Sequence, residues 1–120
     1  MINKVLLRGE KAIPLFLFFI LGACTHQIIE KESPAVNEIK AGGKFTIILP
    51  ENHVENYYWK LNDNHNKTII DYINAAWHGN EKGVYYHFTA VKPGTDTLRL
   101  TLHKMQDSVK TAVYIIKVSE

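Results

Sequence analysis

In this 120-residue chain the cysteine and histidine side chains are the first to test for metal ligation, and the cysteine is also a candidate nucleophile. There is one cysteine, Cys24, and there are six histidines: His26, His53, His65, His78, His87 and His103. Common zinc motifs place two ligands a few residues apart, because a single turn or hairpin must present both to one ion. Here the closest two histidines, His78 and His87, are nine residues apart. His87 and His103 fall on the polar phase of alternating segments, and His53, His65 and His78 fall in loops, so all are expected at the surface or rim. The acids occur singly, without a pair whose separation suits acid–base work. No glycine-rich phosphate loop follows a strand, and no serine sits in a nucleophile elbow. The residues therefore point away from an enzyme, with no metal and no other cofactor expected, and toward a binding module.

The elements that must position these residues begin with a leader. Lys4, Arg8 and Lys11 precede an apolar run from Ile13 to Leu21, and small residues follow. A basic start, a short apolar stretch and small residues before a cleavage point are the marks of a secretory signal. The stretch falls short of the roughly 20 apolar residues that a membrane helix needs. With Cys24 directly after Leu21-Gly22-Ala23, the segment resembles the bacterial lipobox. That resemblance implies cleavage before Cys24 and a lipid on its thiol. The protein would then be anchored to a membrane of the bacterial cell envelope, facing the periplasm or the cell surface. The expected divisions are a helical signal peptide over residues 1–23, a tether over 24–36 and one domain over 37–120. The leader holds three of the 14 Lys and Arg and one of the 12 Asp and Glu, leaving 11 of each sign. A mature chain without net charge offers no basic patch, so no nucleic acid is expected as a partner. With its thiol lipidated the domain has no disulfide, and its stability comes from apolar burial.

Beyond Lys44 the apolar residues recur with a period of two, which is the period of strands. Phe45, Ile47 and Leu49 share one face, as do Tyr57, Trp59 and Leu61. Val84, Tyr86, Phe88 and Ala90 alternate with Tyr85, His87 and Thr89, and Leu98, Leu100 and Leu102 with Arg99, Thr101 and His103. The run from Val113 to Val118 is apolar on both faces, which suits a central strand. Thr68 to Tyr72 reads as a shorter strand, and Asp71 to Trp77 reads equally as a helical turn. Turn signals separate the runs, the cleanest being Pro93-Gly94. Six or more short strands in about 80 residues predict an all-β, antiparallel β-sandwich. Trp59, Tyr86 and Phe88 are expected in its core. Of Tyr57 and Tyr58, one is expected to point inward and its neighbour outward.

The stretch Leu49-Pro50-Glu51-Asn52-His53-Val54-Glu55-Asn56-Tyr57-Tyr58-Trp59 resembles the first inhibitory loop of the chagasin family, Ig-like inhibitors of papain-type cysteine peptidases. In that family a strand ends in Leu-Pro, a loop Asn-Pro-Thr-Thr-Gly follows, and an aromatic strand ends in Trp. Asn52 stands at the family Asn and Asn56 at its Gly, while His53, Val54 and Glu55 replace Pro-Thr-Thr. Asn suits the Gly position because it visits the left-handed backbone region more readily than other non-glycine residues. Tyr86-x-Phe88-x-Ala90-x-x-x-Gly94 resembles the family's next strand and turn, Gly79 falls on the first glycine of its second loop, and Lys104-Met105-Gln106 falls on its Arg-Pro-Trp loop.

The resemblance implies an Ig-like sandwich that acts as a monomer and inhibits a papain-like cysteine peptidase. Three loops at one end would enter the peptidase cleft, a mode that gains from loops held rigid before binding. The contacts would come from Asn52, His53, Val54, Glu55, Asn56, Gly79, Lys104, Met105 and Gln106. Trp77 would offer an aromatic contact from the second loop, or else pack in the core or at its rim. The alternative is an envelope lipoprotein that keeps the scaffold for protein binding or a structural role without inhibiting.

Overall fold

A computed structural model describes residues 26–120. The expected signal peptide helix and Cys24 lie outside the described residues. Eight strands follow in order: β1 (His26–Ile29), β2 (Val36–Lys40), β3 (Lys44–Leu49), β4 (Tyr57–Leu61), β5 (Ile70–Trp77), β6 (Val84–Ala90), β7 (Gly94–Lys104) and β8 (Asp107–Ser119). They form two four-stranded sheets, ordered β1-β3-β6-β5 and β2-β8-β7-β4. The all-β sandwich is as expected, and no described helix is long and apolar enough to cross a membrane.

The period-two pattern sets the core. On the inner face of the first sheet lie Phe45 and Ile47 of β3, Tyr86, Phe88 and Ala90 of β6, and Ile70 of β5, all buried. Facing them are Leu98 and Leu100 of β7 and Ala112, Tyr114, Ile116 and Val118 of β8, with Trp59 of β4 closing one side. Phe45 and Phe88 are cross-strand partners, and their rings stack 5.1 Å apart at 16°. Burying each such side chain contributes about 1.5–3 kcal/mol. β8 is internal to its sheet, as its two apolar faces predict. The Tyr86 hydroxyl donates to the Trp59 carbonyl at 2.8 Å and ties the two sheets together.

The strand pairing corrects the antiparallel expectation, because both sheets are mixed. β1 pairs in parallel with β3, from His26↔Lys44 to Ile29↔Ile47, and β2 pairs in parallel with β8, from Val36↔Ile115 to Lys40↔Ser119. The remaining pairs are antiparallel. The stretch expected as a tether thus supplies strand β1 and the first residue of β2. The physical reason is Ile29, which is buried in the core while Ile28 points out. Between these strands the chain crosses from one sheet to the other. It is pinned there by the Ser33 N–H donating to the Val113 carbonyl and by the buried Asn37 amide donating to Lys31 and Ile115 carbonyls.

Two further expectations change. Residues 71–77 are not a helical turn but most of β5, whose alternation is broken by a bulge between Tyr72 and Asn74. His65 is buried rather than at the surface, with neither ring nitrogen hydrogen-bonded.

Candidate functional site

Three connections meet at one end of the sandwich: residues 50–56 between β3 and β4, residues 78–83 between β5 and β6, and the bend at 105–106 between β7 and β8. The first crosses from one sheet to the other and is built by its own side chains. The Asn52 Oδ1 accepts the N–H groups of Val54 at 3.0 Å and Glu55 at 3.3 Å, and its carbonyl accepts the Tyr57 N–H at 3.0 Å. An Asn whose side chain caps the following backbone makes a local turn without help from the rest of the fold. The turn closes at Asn56, which takes φ 65°, a left-handed conformation that Asn adopts more readily than other non-glycine residues. Val54 is left 79% exposed at the tip.

Beneath the turn sits Glu51, only 6% exposed. A carboxylate so placed must have its oxygens satisfied. Oε1 accepts the Trp59 N–H at 2.5 Å, and Oε2 lies 2.5 Å from His53 Nε2. Glu51 also bears on Tyr86, whose phenol is held well above its ordinary range by burial first and by the Glu51 charge second. His53 in turn stacks on Trp77, ring centroids 3.9 Å apart at 16°, while the Trp77 indole N–H donates to the Glu51 carbonyl at 3.2 Å. The His53 backbone N–H reaches Asn80 Oδ1 at 3.0 Å. These contacts join the first and second connections into one body.

The second connection is closed by two backbone bonds of 2.8 Å, His78 N–H to Gly83 O and Gly83 N–H to Gly79 O. Gly83 has φ 87°, and a Cβ there would lie 2.2 Å from the Leu49 carbonyl oxygen, so only glycine fits. The third connection is a tight bend, shorter than the three-residue match at Lys104-Met105-Gln106. Lys104 and Asp107 are cross-strand partners, which leaves only Met105 and Gln106 between the strands. Met105 has φ 58° and is 65% exposed. Its N–H donates to the Asn56 carbonyl at 3.3 Å, and its carbonyl accepts the Tyr58 hydroxyl at 2.8 Å. Tyr58, pointing outward, stacks on His103, and the half-buried Tyr57 has the Lys104 ammonium 5.0 Å from its ring centroid. A recess of about 760 Å³ opens between Tyr57, Tyr58, Met105 and Gln106. A second recess, of about 520 Å³, flanks the other side near Glu55, Asn80 and Lys110. The first connection is a ridge between them.

No protein family and no curated protein matches the sequence. Solved structures do resemble the fold. The crystal structure of the cysteine protease inhibitor EhICP2 from Entamoeba histolytica superposes with a TM-score of 0.63 at 17% identity, over 78% of this chain and 96% of that one. The sandwich has the fold of a cysteine protease inhibitor. The solution structure of amebosin aligns over 79% of this chain and 97% of its own, with 19% identity and a TM-score of 0.49.

Within this fold, Asn52, His53, Val54, Glu55, Asn56, Trp77, Gly79, Lys104, Met105 and Gln106 all stand at the one end. Trp77 is 44% exposed, so it is not a core residue; it is the platform on which His53 rests. Among the described residues no group of three or more His, Cys, Asp and Glu is arranged to hold a metal. Sequence reasoning missed Glu51, Asn80 and the Tyr58–Met105 bond, which lock the three connections together. The one available signal was the position of Glu51, inside the motif and directly before Asn52.

Proposed function

We propose that this protein inhibits papain-like cysteine peptidases by inserting the ridge at residues 52–56 into the catalytic cleft, flanked by the other two connections. The observation that carries this reading is the bracing of an exposed turn to both neighbouring bends, on a fold shared with a cysteine protease inhibitor. A rigid tip of this kind binds without the cost of ordering a loop. In the cleft, the tight turn capped by Asn52 keeps its backbone folded back on itself and does not offer an extended peptide for cleavage. The exposed side chains of Val54 and Met105 supply apolar contact. Tyr58 and Trp77 add aromatic surface of the kind that dominates interface energies. Glu55 carries its charge toward the catalytic thiolate, where the neighbouring imidazolium offsets the repulsion.

The deciding experiment is a titration of residues 25–120 against papain and a cathepsin. A sub-micromolar dissociation constant, more than about 8 kcal/mol of binding, is the expected result. Glu55→Lys and Lys104→Ala should shift that constant while leaving the melting temperature nearly unchanged. One feature favours a second reading, a scaffold that binds another envelope partner: the third bend carries Met105 and Gln106 and no aromatic anchor. Absence of inhibition at tens of micromolar across several papain-like enzymes would leave only that reading. The lipobox resemblance supports anchoring through Cys24 at the bacterial envelope, and Cys24→Ser should leave the precursor unprocessed by the lipoprotein signal peptidase.

A further inference from the structure

Away from the tip, the outer face of the first sheet gathers a second set of titratable side chains. The Thr46 hydroxyl on β3, 1% exposed, lies 2.5 Å from His26 Nε2 on β1 and 2.9 Å from His87 Nδ1 on β6. The two imidazoles stand edge to face, centroids 6.1 Å apart. Tyr85 lies 6.4 Å from His87 and has His78 against its other side at 4.3 Å. Lys44 is the cross-strand partner of His26, Asn74 that of His87, and Asp71 that of Thr89. Among the described residues neither His26 nor His87 has an ion-pair partner.

A hydroxyl offers one proton and two lone pairs. With both rings neutral, Thr46 donates to the bare nitrogen of one and accepts the N–H of the other. Protonating the ring that accepts turns both nitrogens into donors aimed at one oxygen. The buried hydroxyl proton then loses its partner, which costs about 1–3 kcal/mol for a buried group. When both rings are charged, two cations face each other beside Lys44, and among the described residues neither has a carboxylate partner.

We propose that His26, Thr46 and His87 form a proton-sensitive latch that holds β1 against β3 near neutral pH and releases it on acidification. β1 yields first because it is a four-residue edge strand with one buried side chain, Ile29, whereas β3 and β6 are internal. The His87 imidazole is held below its ordinary range by burial first, then by His26 and His78. The sign follows from that depression. The stabilising contribution is fully present above the ordinary histidine value of about 6.5 and is lost as pH falls through the lower folded value. Release frees the chain ahead of the Ser33–Val113 bond and adds roughly 20 Å of reach at about 3.3 Å per residue. None of His26, Thr46 and His87 belongs to the three connections at the tip, so the latch stands or falls independently of the peptidase reading.

The test is amide hydrogen exchange, read by NMR on the full 120-residue chain in a non-ionic detergent. Protection factors are compared at about pH 7.5 and about pH 5, across the range in which histidine titrates. Amides of β1 are expected to lose at least about tenfold in protection at the lower pH, while β7 and β8 keep theirs. In His26→Gln and His87→Asn the amide replaces the contacting ring nitrogen but takes up no proton, so β1 should stay protected at the lower pH. Constant protection of β1 in the unaltered chain would overturn the latch. So would an acid loss undiminished in His26→Gln, whose exposed site leaves folding intact, or an equal loss throughout β7 and β8.

Discussion

The tip depends on a carboxylate that is not itself displayed. Glu51 is hidden beneath the turn and fixes both the Trp59 backbone and the His53 ring, so a change there reaches the surface through His53 and Trp77. Glu51→Gln keeps an acceptor for the Trp59 N–H and presents an amide donor to His53. We expect it to lower stability by about 1–3 kcal/mol, read from the urea midpoint. On the proposed function, it should also weaken peptidase inhibition more than Lys60→Ala, a substitution at an exposed position of β4 away from the turn. Little of this was legible from residue types. A glutamate in a loop and a histidine in a polar stretch are ordinarily exposed, yet Glu51 and His65 are both buried. What buries Glu51 is a backbone donor eight positions along the chain, which no local pattern announces.

The strands were the most legible feature, and the connections between them the least. Alternation marked β3, β4, β6 and β7 because each has one face in the core, and a run apolar on both faces marked β8. It failed for β5, where the bulge between Tyr72 and Asn74 shifts the phase and Ala75-Ala76 carries no period. It failed too for β1, where a single buried Ile gives no repeat. The bends themselves yield two sharp expectations. Met105 holds φ 58°, a conformation that costs a non-glycine residue roughly 1–2 kcal/mol, so Met105→Gly should raise stability by about 0.5–1 kcal/mol, read from the urea midpoint. Gly83→Ala should do the opposite. Its methyl would collide with the Leu49 carbonyl and its φ of 87° would be strained, so a loss of more than about 2 kcal/mol and partial unfolding by circular dichroism are expected.

For the molecule as a whole, one compact core carries the stability, and Phe88 lies at its centre stacked on Phe45. Phe88→Ala is expected to cost about 3–5 kcal/mol, a large part of the 5–15 kcal/mol typical of a domain, and calorimetry should show a correspondingly lower melting temperature. The two-layer class was readable because periodicity reports which face is buried. The parallel seams were not, because period two says nothing of which strand lies alongside or in which direction it runs. Those seams join residues as far apart as Val36 and Ile115. β8 is the last of the described strands in chain order, yet it lies between β2 and β7. While a nascent chain is emerging from a ribosome, β2 therefore has no neighbour to pair with until residues 107–119 arrive. The second sheet thus closes only once β8 is available, after every strand of the first sheet has been made.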